Sequence, residues 1–124
     1  MAIYYNLAKV FAKINGNEAL VRSEITLFME QVPFEMKRLL ASIKNKQYPN
    51  AAFLAKEIKP ALELMGMTIA HDEMILVENW AAKQGKRREI EATVDSIKLH
   101  IEKATKEMNK EYKVFEVIKN ALDT

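Results

Sequence analysis

From Ile90 onward, apolar residues recur at every third or fourth position: Ile90, Val94, Ile97, Ile101, Ala104 and Met108, then Phe115, Ile118 and Leu122. An α-helix turns once in about 3.6 residues, so this spacing draws one stripe along one face; on a strand it would scatter over both faces. The stripe predicts a helix that starts near Lys86 and is long enough to reach the C-terminus. Such a helix must bury its apolar face against other elements.

The rest of the chain supplies those elements. Leu7, Val10, Phe11 and Ile14 have helical spacing within Tyr4 to Ile14, and "NGN" (15–17) stops that helix. Asn17 is placed to cap a second helix starting near Glu18. Its stripe is Leu20, Ile25, Phe28, Met29, Val32, Met36, Leu39, Leu40 and Ile43. Pro33 falls inside it and removes a backbone donor, which predicts a kink or two abutting helices. "NKQYPN" (45–50) reads as a loop with Asn50 as the next cap. A third helix is expected from Ala51 to Met65, ended by Gly66, and a fourth from Ile69 to Lys83, ended by "QG" (84–85).

Only three glycines and three prolines occur in 124 residues, too few for a many-turned sheet. Short loops between long helices favour antiparallel neighbours. The expected fold is all-α: an up-and-down four-helix bundle with a short N-terminal helix packed across it and a long C-terminal helix. One domain, 1–124, is expected, with 105–124 as a helical extension.

The chain has no cysteine, which excludes disulfides and thiolate metal sites. A formal charge of +2 compels no nucleic-acid partner. The N-terminus lacks the apolar core of a signal peptide, and no apolar run has the length of a membrane span. A soluble, cytoplasmic protein without a cofactor is expected.

The third helix poses the functional question. On a helical projection Ala51, Leu54, Ile58, Ala61, Leu62 and Met65 gather on the core side. Lys56, Lys59, Pro60 and Glu63 fall together on the outer side, with Ala52 one turn before Lys56 and Phe53 on the flank. Two lysines alone describe a solvated face. A proline in a helix interior, which costs about 3 kcal/mol, and the following Gly66 are not what a plain surface helix needs.

The stretch "FLAKEIKPALELMGM" (53–67) resembles the signature of histidine phosphotransfer (HPt) domains. That signature has an alanine, a phospho-accepting histidine, any residue, an apolar residue, a lysine, a small residue or proline, and a later glycine. Ala55, Ile58, Lys59, Pro60 and Gly66 match, while Lys56 occupies the histidine position. The "NGNE" turn, "LFMEQVP" and "MILVENWAAKQGK", with Glu78, are similar to other parts of the family, so the resemblance spans about residues 4 to 105. It implies a phosphorelay protein whose partners are response-regulator receiver domains and an upstream sensor histidine kinase. It also implies docking through Ala52, Phe53, Lys56, Lys59, Pro60 and Glu63, with Lys59 in the place of the lysine that helps neutralise the phosphoryl group. The transfer itself requires a neutral ring nitrogen. An exposed lysine, with a reference pKa of about 10.4, is protonated at neutral pH and offers no lone pair. The expected protein therefore docks a receiver without passing phosphate, and is not an enzyme.

Other candidates carry weaker signals. His71, beside Asp72 and Glu73, is the alternative phospho-acceptor, though a histidine near a helix start is ordinarily just exposed. His100 reads as a boundary residue beside the last stripe. Neither histidine has a helical partner for a metal. "KQGKRRE" (83–89) is a solvated basic turn, too short and without the aromatics of a nucleic-acid surface. Trp80 reads as a partly buried packing residue, and the seven methionines as core filler or part of a docking surface, the former being more common. A further alternative is self-association through the C-terminal helix "KEMNKEYKVFEVIKNALDT".

Overall fold

The computed structural model describes residues 3–112, which form five α-helices and no strand. They are α1 (Ala8–Lys13), α2 (Glu18–Lys44), α3 (Tyr48–Leu64), α4 (Thr68–Ala82) and α5 (Arg87–Tyr112). The all-α bundle is as expected. α3 packs between α2 and α4, and α5 closes the bundle against the other flanks of those two helices.

The stripe of α5 sets one wall of the core: Ile90, Val94, Ile97, Ile101, Ala104 and Met108 are all buried. Phe115, Ile118 and Leu122, with the proposed extension beyond Tyr112, lie outside the described residues. α2 contributes Val21, Ile25, Phe28, Met29, Val32, Met36, Leu39 and Ile43. Leu20, expected in that stripe, is 47% exposed: it lies in line with the exposed Leu27, seven residues on, while the neighbouring Val21 takes the buried place at the start of the stripe. Pro33 neither ends α2 nor divides it: the helix runs unbroken for 27 residues.

Helix starts correct two expectations. Asn17 caps α2 as predicted, its side-chain oxygen accepting from the Leu20 amide at 3.2 Å. Asn50 caps nothing. α3 begins earlier, at Tyr48, with Pro49 in its first turn, where a missing N–H costs little. The Asn50 amide instead donates to the Ser42 hydroxyl at 2.6 Å, joining α3 to α2. α1 is also shorter than its periodicity suggested. Tyr4–Leu7 is not helical but crosses the bundle end, where the Ile3 and Tyr4 amides donate to the Glu107 carboxylate and the Tyr5 hydroxyl to Glu111.

Trp80 is a core residue with a polar task. Its ring meets Tyr48 at 5.4 Å between centroids, and its indole N–H donates to the Lys86 carbonyl at 2.8 Å. Tyr48 in turn donates to the Gly85 carbonyl, so two aromatic side chains hold the turn between α4 and α5. Trp80→Phe keeps most of the apolar area but leaves the Lys86 carbonyl without this donor. It should lower stability by about 2 kcal/mol, read as a lower urea midpoint at unchanged slope.

Candidate functional site

The outer face of α3 follows from its inner one. Ala51, Leu54, Ala55, Ile58 and Leu62 are buried, which fixes the helix rotation and turns Phe53, Lys56, Glu57, Pro60 and Glu63 to solvent. Ala55, not assigned to the core from periodicity, is fully buried against its neighbours. Ala52 is half-buried at the edge of the face.

The two lysines of this face differ. Lys56 is exposed and forms no ion pair or hydrogen bond among the described residues. Lys59 is turned toward α4, where its ammonium donates to the Glu78 carboxylate at 2.7 Å, with both side chains about one-quarter exposed. Glu63 is also occupied: it accepts from the Lys9 ammonium of α1 at 3.2 Å, an exposed pair of small energetic weight. Lys56 is thus the free cation of the expected docking set.

The face continues onto α2, which sequence reasoning missed. The helices are antiparallel, and the Asn50–Ser42 bond fixes their register. In that register Glu35 of α2 stands opposite Glu57 of α3, and the Glu57 charge acts on Glu35. Phe34, the residue before Glu35, is 61% exposed and lies level with α3 between Lys56 and Pro60. Phe53, one turn earlier on α3, is 58% exposed. The available signal was that Phe34 lies off the buried stripe of α2: an aromatic residue on the polar side of a helix has no core to fill.

Charge is unevenly distributed over this surface. Partial burial raises the Glu35 pKa from the ordinary glutamate value, the Glu57 charge raises it further, and Arg38 opposes both. Neither Glu35 nor Glu57 forms an ion pair among the described residues, and neither does Arg38. Among the described residues the surface therefore carries an ammonium and a carboxylate pair outside any ion pair, with Arg38 acting on Glu35 from a distance, and two exposed rings.

The histidines lie elsewhere. His71 sits in the first turn of α4 with its Nδ1 3.2 Å from the adjoining Asp72 carboxylate. The Lys59–Glu78 register puts it roughly 15 Å from Lys56 along the helix axis at 1.5 Å per residue. His100, at the boundary as expected, has Nδ1 2.8 Å from the Ser96 carbonyl, which makes that nitrogen the proton donor. Glu73 of α4 lies 3.6 Å from the same nitrogen. No group of three or more His, Asp or Glu side chains among the described residues is arranged to hold a metal ion. Lys86, in the basic turn, is used locally: its amide donates to Glu89 at 2.6 Å, which closes the start of α5. No described helix is long and apolar enough to cross a membrane.

Among known proteins, no family model matches the chain, and neither a curated protein nor a solved structure is significantly similar to it.

Proposed function

We propose that this chain is an HPt-like docking protein of a two-component phosphorelay, which binds a receiver domain without passing phosphate. The observation that carries this reading is Lys56: an exposed ammonium, unpaired among the described residues, on a face that also exposes Phe53, Phe34 and Pro60. Exposed aromatic residues grouped beside a free charge are what a protein–protein contact uses. A receiver's acidic pocket supplies the counter-charge that Lys56 lacks. The residue at the nucleophile position has no lone pair while it is protonated, so docking there gives occupancy in place of transfer.

The two lysines then have different roles. Lys56 reaches the partner, while Lys59 holds α3 to α4 through Glu78 and fixes the angle at which the face is presented. Charge reversal at the centre of a contact costs far more than loss of a rim charge, because it sets like charges together. Lys56→Glu should weaken binding to a cognate receiver at least roughly a hundredfold. The measurement is calorimetric titration of the wild-type chain and the variant against purified receiver domains of the same cell. A receiver that binds both equally would remove Lys56 from the interface, and no binding to any receiver would remove the reading.

A further inference from the structure

The docking reading leaves Glu35 and Glu57 unexplained. They come from different helices, stand level with each other at the seam between α2 and α3, each seven residues from the Asn50–Ser42 bond that sets the register, and have no cation among the described residues in an ion pair with either of them. Lys56, next to Glu57 in sequence, is exposed and in no ion pair among the described residues. Arg38 lies one turn along α2 from Glu35 and stays outside ion-pair distance. Such a pair raises the energy of the free protein, because two carboxylates repel and one of them is partly withdrawn from water. A cation placed between them from outside removes both penalties at once.

The position of the pair says where that cation comes from. Phe34 adjoins Glu35 in the chain, Phe53 lies one turn from Glu57, and both rings are exposed. A partner that covers the rings also covers the seam and withdraws the carboxylates further from water. It must then bring a counter-charge or forgo the contact. We infer that the docked partner inserts a lysine or arginine side chain between Glu35 and Glu57, so that the face recognises an acid opposite Lys56 and a base opposite the seam. The inference rests on the docking reading and narrows it: an acidic pocket alone is not sufficient, and receivers without a basic residue beside the pocket are rejected. The carboxylate pair is therefore the element that selects among receivers that share the same acidic pocket.

The test uses the same receiver panel. For a receiver that binds the wild-type chain, Glu57→Lys should weaken binding at least roughly tenfold, and Glu57→Gln roughly threefold. Asp95→Lys makes the same change in net charge on α5, across the bundle from α3, and should leave affinity unchanged. Glu57 is exposed on a helix, so helical circular dichroism of each variant should match the wild type. Binding should also weaken as pH falls from neutral toward the carboxylate range. The cation favours the ionised form of Glu35, whose pKa lies above the usual value in the free protein, so protonation competes with docking. Glu35→Gln should shift the loss of binding to lower pH, leaving the part due to Glu57 and to the partner's acid opposite Lys56. A receiver that binds the wild type and Glu57→Lys equally would overturn the seam contact and leave docking through Lys56 standing. Failure of every receiver to bind the wild type would overturn both.

Discussion

Gly66→Ala should destabilise the protein by about 2 to 4 kcal/mol, although a glycine adds no side chain to the core. The turn after α3 closes with the Met67 amide donating to the Leu62 carbonyl at 2.9 Å and the Gly66 amide to Glu63 at 3.0 Å. This is the paired pattern in which the residue after the cap adopts a left-handed conformation, and Gly66 has φ of 65°. That angle alone does not demand glycine. Asn15, Lys46 and Gln84 end the other turns at φ of 54°, 56° and 52°, each with a side chain. Gly66 differs in what lies above it. A Cβ there would stand 2.5 Å from the Asn6 carbonyl oxygen and 2.7 Å from the Asn6 Cβ. The Asn6 amide also donates to the Met65 carbonyl at 2.9 Å, so the N-terminal segment cannot move away without losing that bond.

The contrast gives the test. Lys46→Gly relieves a left-handed lysine and should change stability by less than about 1 kcal/mol, whereas Gly66→Ala moves the urea midpoint far down. Asn6→Gly in the Gly66→Ala background should recover part of the loss, since one of the two crowding groups is the Asn6 side chain. A Gly66→Ala protein as stable as the wild type would mean that the segment around Asn6 does not rest on this turn. The glycine shared with the HPt signature is thus explained by packing of the chain on itself, and it says nothing about phosphate.

How much of this was legible beforehand depended on whether a feature is local. The α5 stripe, the core side of α3 and the Asn17 cap rest on neighbours within one helix, and the sequence displays those directly. The Asn50 cap failed because Pro49 suits the first turn of a helix as well as a loop, and Ser42, the partner that decided the matter, is on α2. Leu20 failed because two adjacent apolar residues, Leu20 and Val21, stand at the start of the stripe, and spacing alone does not say which of them faces inward. At the candidate site, the exposure of Lys56, Phe53, Pro60 and Glu63 followed from helix rotation. The separation of Lys59 from Lys56 did not, because it depends on Glu78, 19 residues away on another helix. Phe34, Glu35 and their relation to Glu57 were invisible for the same reason: register between helices is set by side-chain contacts that no single-helix projection contains.

On the proposed docking reading, Lys56→His should become phosphorylated by a phosphorylated receiver that binds it, whereas the wild-type chain should take up no phosphate. An exposed imidazole near its reference pKa of about 6.5 is mostly neutral at pH 7, whereas a lysine at its reference value has roughly one amine in a few thousand unprotonated. The neutral nitrogen attacks the phosphorus of the aspartyl phosphate, the N–P bond forms as the aspartate C–O–P link breaks, and the carboxylate leaves on the receiver. Position 56 meets the steric requirement, since it is exposed and has no bonding partner among the described residues. The electrostatic requirement falls on Lys59. Its ammonium lies one turn from position 56, but Glu78 holds it at 2.7 Å and neutralises much of its charge. Phosphohistidine formation, followed by transfer of radiolabel from a phosphorylated receiver, should therefore appear in Lys56→His and increase in Lys56→His with Glu78→Gln, where the ammonium is released. Glu78→Gln alone should remain unlabelled. If the double variant binds the receiver and still takes up no label, residue 56 does not stand where a phosphoryl group can reach it, and the docking orientation assigned to α3 is wrong.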